Sequence, residues 1–122
     1  MPNEKILITD DEASIRTALA GRLQANGYSV SQAANGRQGI ELARSEDPDM
    51  AIVDLQMPEM DGMEMLSHLR EEFPELTVVI MSGYGTIEKA VEAMKLGAFD
   101  FLPKPCGPDH VLLVVRKALE RR

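Results

Sequence analysis

Asp10, Asp11, Asp54, Ser82 and Lys104 are the residues of this sequence whose types could do chemistry together. Each follows a short apolar run. Asp10-Asp11 follow Ile6-Leu7-Ile8-Thr9, Asp54 follows Met50-Ala51-Ile52-Val53, Ser82 follows Leu76 to Met81, and Lys104 follows Phe99 to Leu102 after one proline. If the runs are parallel strands of one sheet, all five residues meet on the rim beyond the strands' carboxyl ends. Three carboxylates gathered there repel one another and need a cation to stay ionised. A hard divalent ion suits them, and Mg²⁺ usually takes one or two carboxylates together with waters and phosphate oxygens. A carboxylate held in such a place can attack phosphorus as a nucleophile. Lys104 and the Ser82 hydroxyl would then bind the oxygens of the transferred group. The residues point to metal-assisted phosphoryl transfer to an Asp.

Each residue also has a plainer reading. An Asp directly after a strand is often a turn former or helix N-cap, and Asp11 could cap the first helix. A lysine beside proline is commonly a solvated loop charge. Coincidence at four of five strand ends favours a shared site, since only the second strand, ending in Ala33-Ala34, offers no side-chain chemistry.

The elements that must position these groups alternate along the chain. Ile15, Leu19 and Leu23 recur at i, i+4, i+8 and predict a helix closed by Asn26-Gly27. Tyr28 and Val30 alternate with polar neighbours, as in a half-buried edge strand. Asn35-Gly36 opens a second helix that runs to about Arg44 and breaks at Asp47-Pro48. Leu55 to Asp61 reads as a loop, with Asp61 as the N-cap of a helix striped by Leu66, Leu69 and Phe73. Ile87, Ala90, Val91 and Met94 predict a fourth helix before Gly97, and Val111, Val115 and Leu119 a fifth. Five strands alternating with five helices build a doubly wound parallel α/β sheet with helices on both faces, expected here as a single domain over residues 1–122.

Composition narrows the function classes. The chain has 122 residues, 44% hydrophobic and 27% charged, ordinary for a globular domain. Its 20 acidic against 13 basic residues give a net charge of −7, which argues against direct contact with nucleic acid. One cysteine, Cys106, excludes an internal disulfide and is read as structural or incidental. No apolar run approaches the roughly 20 residues of a membrane span and no signal peptide is visible, so a soluble cytoplasmic protein without membrane contact is expected. His68 and His110 read as isolated solvated or packing residues. Most of the eight methionines read as core fillers, with a partner patch at Met57, Met60 and Met63 as the minor alternative.

In order and spacing, Ile8-Thr9-Asp10-Asp11-Glu12, Val53 to Gly62, Met81-Ser82-Gly83-Tyr84-Gly85 and Lys104-Pro105 make the chain resemble, over essentially its whole length, a receiver domain of two-component response regulators. The resemblance implies a flavodoxin-like strand order 2-1-3-4-5, in keeping with an edge second strand. It implies that Asp54 takes a phosphoryl group from the phosphohistidine of a sensor histidine kinase or a phosphotransfer protein. Asp11, Asp54 and the backbone carbonyl of Gln56 would ligate Mg²⁺, or Mn²⁺, with Asp10 assisting. Ser82 and Lys104 would bind phosphoryl oxygens, and Ser82 and Phe101 would form the switch, Phe101 lacking the hydroxyl of the frequent Tyr. The change would be read on the fourth helix, fifth strand and fifth helix, by an output module, a partner or a second copy in a phosphorylation-dependent homodimer. Ser82 through Pro105 is most similar to the nitrogen-regulator-type receivers, whose full chains add ATPase and DNA-binding modules; transcriptional regulation follows as an expectation.

The main rival is an aspartyl-phosphate phosphatase or mutase. Such enzymes usually carry a second Asp two residues after the nucleophile as general acid, where this chain has Gln56, which cannot exchange a proton in that role. The chain is therefore expected not to be an enzyme beyond assisting its own phosphorylation and dephosphorylation. A flavin-binding module is disfavoured because this chain has no Ser/Thr-rich phosphate loop after the first strand, and Gly83-x-Gly85 lacks the third glycine of a dinucleotide fingerprint, Glu88 standing there.

Overall fold

The computed structural model describes residues 3–83 and 87–121, so the Tyr84-Gly85 part of the third motif lies outside the described residues. Strands and helices alternate as β1 (Lys5–Thr9), α1 (Ala13–Ala25), β2 (Ser29–Ala33), α2 (Gly36–Glu46), β3 (Met50–Asp54), α3 (Gly62–Glu72), β4 (Thr77–Ser82), α4 (Ile87–Lys95), β5 (Asp100–Pro103) and α5 (Pro108–Arg121). All four strand pairings are parallel, in the order β2-β1-β3-β4-β5. The chain steps from β1 outward to β2 and then back across to β3. The crevice of such a sheet opens where that direction reverses, between β1 and β3.

The boundaries follow local chemistry. The Asn35 side chain accepts from the Gln38 amide at 2.8 Å and starts α2, and Asp61 accepts from the Glu64 amide at 2.9 Å and starts α3. Asn26 and Gly27 end α1, Gly27 taking φ 94° where a side chain would be strained. Asp11 does not cap α1. The N-cap is Glu12, and its side chain makes no capping bond.

Period-two alternation sorts the buried strands onto two faces. Leu7, Ala51, Val53, Val78 and Ile80 join Ile40 of α2, Leu66 of α3 and Ala93 of α4. Ile6, Ile8, Met50, Ile52, Val79 and Met81 join Leu23 of α1 and Val115 of α5. β3 and β4 are buried at every position, as strands covered on both faces must be, whereas β2 is buried only at Ala33. Met57 is buried and Met60 and Met63 pack on the first cluster, so these methionines fill core space.

One helix departs from its pattern. Ile87, Val91 and Met94 of α4 do not face the sheet; they are 85%, 46% and 47% exposed, and Ala93 is the residue that α4 buries. The periodic stripe is real, but a small residue beside it makes the packing contact. No helix among the described residues is long and apolar enough to cross a membrane.

Gly62 locks α3 onto the end of β3. Its amide donates to the Leu55 carbonyl at 2.7 Å, and a Cβ there would lie 2.5 Å from the Asp54 carbonyl oxygen and from the Leu55 Cα. Backbone cannot yield as a side-chain tip can. Gly62→Ala is expected to cost about 2 kcal/mol or more in urea unfolding despite alanine's better helix propensity.

Candidate functional site

β1 and β3 run side by side with Thr9 opposite Val53, so the residues that follow, Asp10 and Asp54, reach the rim together. Both are buried. Lys104 arrives from the loop after β5, its amide donating to the Ser82 carbonyl at 2.9 Å. Its Nζ lies 2.9 Å from Asp10 Oδ2, 3.3 Å from Asp54 Oδ1 and 3.6 Å from Glu12 Oε1. One carboxylate oxygen from each of Asp10, Asp11 and Asp54 lies within 4.8 Å of the others. Asp10 and Asp54 form the floor of this group and Asp11 is exposed at its edge.

Further hydrogen bonds hold the acids in place. Asp10 Oδ1 accepts from the Glu12 amide at 2.9 Å, and the Arg16 guanidinium donates to the Asp10 carbonyl at 2.7 Å. The Gln56 amide reaches Asp54 Oδ1 at 3.4 Å. The Gln56 side chain is exposed and lines a hollow of about 360 Å³ with Asp11, Asp61 and Lys89. Ser82 is buried at the end of β4. Phe101, opposite Ile80 in β5, is half-buried against the cluster that includes Ala93 of α4.

The electrostatics follow from burial and crowding. Burial first, and then the charge of Asp10, raise the Asp54 pKa from 3.8 to about 6, against the opposing pull of Lys104 and the Gln56 amide. Burial acts to lower the Lys104 pKa, but its hydrogen bond to Asp10 and the charges of Asp54 and Asp10 outweigh it and hold the ammonium above its ordinary value. Lys104 is the fixed charge of the site and Asp54 the acid poised near neutrality. All the ligand atoms of the acid cluster are oxygen, the donor set of a hard cation, so the cluster could hold a metal ion.

The structure thus brings Asp10, Asp11, Asp54 and Lys104 together and seats Ser82 and Phe101 on the two strands that lead to them. Sequence reasoning passed over Glu12 and Arg16. Glu12 stands next to the acid pair, and Arg16 lies on the turn of α1 that faces it; neither residue type signals its partner. The two histidines are not isolated. His68 Nε2 lies 3.3 Å from Glu72 Oε1, and His110 Nδ1 lies 3.4 Å from Cys106 Sγ. Burial raises the Cys106 pKa, which favours the neutral thiol.

Comparison with known proteins gives the class. Residues 6–116 match the family described as response regulator receiver domain. The regulatory protein AtoC of Escherichia coli is 38% identical over 116 residues, covering 95% of this chain and 25% of its own length. The sporulation initiation phosphotransferase F of Bacillus subtilis is 38% identical, covering 98% of this chain and 96% of its own. The crystal structure of the receiver domain of NtrX from Brucella abortus superposes with a TM-score of 0.92 at 35% identity, covering 96% of this chain and 99% of that one. This chain belongs to the response regulator receiver domain family and is a signalling phosphoacceptor of two-component phosphorelays. It spans about a quarter of the length of regulators such as AtoC.

The Asp54 shift carries a sign. Folded, Asp54 holds its proton up to about pH 6, and unfolded only to about 3.8. Between those values the native state binds the additional proton, so stability falls as pH rises and levels off above the folded pKa. Without divalent ions this contributes a loss of about 3 kcal/mol. Asp54→Asn is expected to be the more stable protein at neutral pH and to converge on wild type below about pH 4, checked by urea unfolding in EDTA across that range.

Proposed function

We propose that residues 1–122 form a single receiver domain in which Asp54 takes a phosphoryl group from the phosphohistidine of a sensor histidine kinase or phosphotransfer protein. The observation that carries this is Asp54 itself, a buried carboxylate at the end of the central strand, 3.3 Å from a buried ammonium and beside two further acids. At neutral pH it is ionised. One of its oxygens attacks phosphorus, the P–N bond breaks, and the imidazole leaves with the electron pair. Lys104 passes from Asp54 to a phosphoryl oxygen, and the Ser82 hydroxyl donates to another. Asp11, Asp54 and the Gln56 carbonyl, with Asp10 assisting, would hold Mg²⁺ or Mn²⁺. Bound there, the ion supplies positive charge that offsets the acid cluster and the transferred group. Asp10 also keeps Lys104 in place.

The donor's surface fits the groove of about 630 Å³ between α1 and α5, whose apolar wall includes Ile15, Leu19 and Val111 and which opens on Lys104. The output side is α4, β5 and α5. Movement of Ser82 toward the phosphoryl group would let the Phe101 ring turn inward and shift α4, whose exposed Ile87, Val91 and Met94 offer an apolar surface to a second copy or a reader. In a longer chain the readers are ATPase and DNA-binding modules of the nitrogen-regulator type, acting in transcription from the cytoplasm. The acidic receiver itself does not contact nucleic acid. It turns over no external substrate, because Gln56 stands where a general acid is needed.

With Mg²⁺ and acetyl phosphate, intact mass is expected to rise by one phosphoryl group in wild type and not in Asp54→Asn. Labelling of the Asn variant would overturn the assignment, and steady hydrolysis of a soluble phosphate ester would favour an enzyme. Asp11→Ala is expected to weaken Mg²⁺ binding by about tenfold or more, along with phosphorylation, without loss of the fold.

Phe101→Ala separates a switch from a core aromatic. Asp54 is still expected to be phosphorylated, while the phosphorylation-dependent change in amide hydrogen exchange over α4, β5 and α5 is largely lost. An exchange response like that of wild type would show that the signal leaves without this ring.

A further inference from the structure

Glu12 is not used by the structural role that its position offers. It stands at the N-cap of α1, where a short Ser, Thr, Asp or Asn side chain ordinarily reaches back to the helix amides. The Glu12 carboxylate makes no such bond. It turns instead toward the acid pocket, 59% exposed, with Oε1 3.6 Å from Lys104 Nζ. It is the outermost of the three carboxylates around that ammonium, Asp10 and Asp54 lying below it at 5% exposure each. It also lines the groove that leads past Gly83, Lys104 and Pro105 to the face of α1 and α5.

Building on the phosphoacceptor reading, we infer that Glu12 is a specificity-determining residue of the mouth, selecting among phosphodonors by their negative charge. Any donor must bring its phosphoryl oxygens to Lys104 and so pass close to this carboxylate. Across roughly 7 Å of water-like surroundings, repulsion amounts to about a two- to threefold loss in association per unit of donor charge. Small anionic donors meet it in full. A phosphoimidazole on a protein surface does not, because the apolar groove wall contributes contact and a basic side chain of the donor can pair with Glu12. The donor that this mouth favours is therefore a protein-borne phosphoimidazole flanked by Lys or Arg. Glu12 also competes for Lys104, and this second effect slows every donor alike.

The test is the initial rate of phosphorylation, followed by intact mass at fixed saturating Mg²⁺ and limiting donor, in wild type, Glu12→Gln and Glu12→Asp. Acetyl phosphate serves as a dianionic donor and phosphoramidate as a monoanionic one. At low ionic strength Glu12→Gln is expected to gain about fourfold or more with the dianion and about twofold or more with the monoanion. Glu12→Asp keeps the charge on a shorter side chain that can turn back to cap α1, so its donor preference is expected to fall between those of wild type and Glu12→Gln. The difference between donors closes in 1 M salt, where the screening length is about 3 Å. Equal acceleration with both donors, a difference that survives high salt, or a Gln variant indistinguishable from a phosphorylated wild type would each overturn the inference alone. Failure of wild type to take a phosphoryl group from either donor would overturn the acceptor reading and this inference with it.

Discussion

The ammonium of Lys104, seated among carboxylates that the sheet forces together, is the interaction on which the site depends. Neighbouring parallel strands lie about 4.8 Å apart, so residues that leave β1 and β3 at matching heights cannot keep their charges separate. Asp10 and Asp54 leave at matching heights, and both are buried. Burial and mutual repulsion act against ionisation of Asp54, and Lys104 opposes them only in part, leaving the pKa near 6. The site is held short of electrostatic balance. A divalent cation would offset that excess of negative charge, because it supplies a partner for carboxylates already present.

The fold keeps this tension local. β3 and β4 are fully buried, Gly62 fastens α3 against the end of β3 without room for a side chain, and Arg16 ties α1 to the Asp10 carbonyl. A close-packed sheet has little room to adjust, and an element that buries fewer side chains has more. α4 is such an element: it buries Ala93 and presents its larger apolar side chains outward. Phe101 lies between the site's strands and that helix.

The groove beside Lys104 belongs to α1 and α5, on one face of the sheet, while the exposed stripe belongs to α4, on the other. The separation comes from topology. The step from β1 to β2 runs opposite to the later steps across the sheet, and right-handed crossovers place helices from opposite steps on opposite faces.

The amino-acid sequence by itself determined the alternation of elements, the burial of the central strands and the placing of Asp10, Asp54, Ser82 and Lys104 at one rim. Those features rest on local chemistry: period-two or period-3.6 apolar patterns, capping side chains such as Asn35 and Asp61, and the rule that parallel strands end on one side. Tertiary structure alone decided which way α4 turns, that Glu12 reaches Lys104 instead of capping α1, that Arg16 holds the Asp10 carbonyl, and that His110 meets Cys106. A helical period fixes an angle between residues but not the direction that the stripe faces; that depends on which side chain fits the neighbouring sheet, and Ala93 fits closer than Val91 or Met94. Likewise a long, flexible side chain such as Glu12 or Arg16 has many reachable partners, and only the packed fold brings one of them within bonding distance.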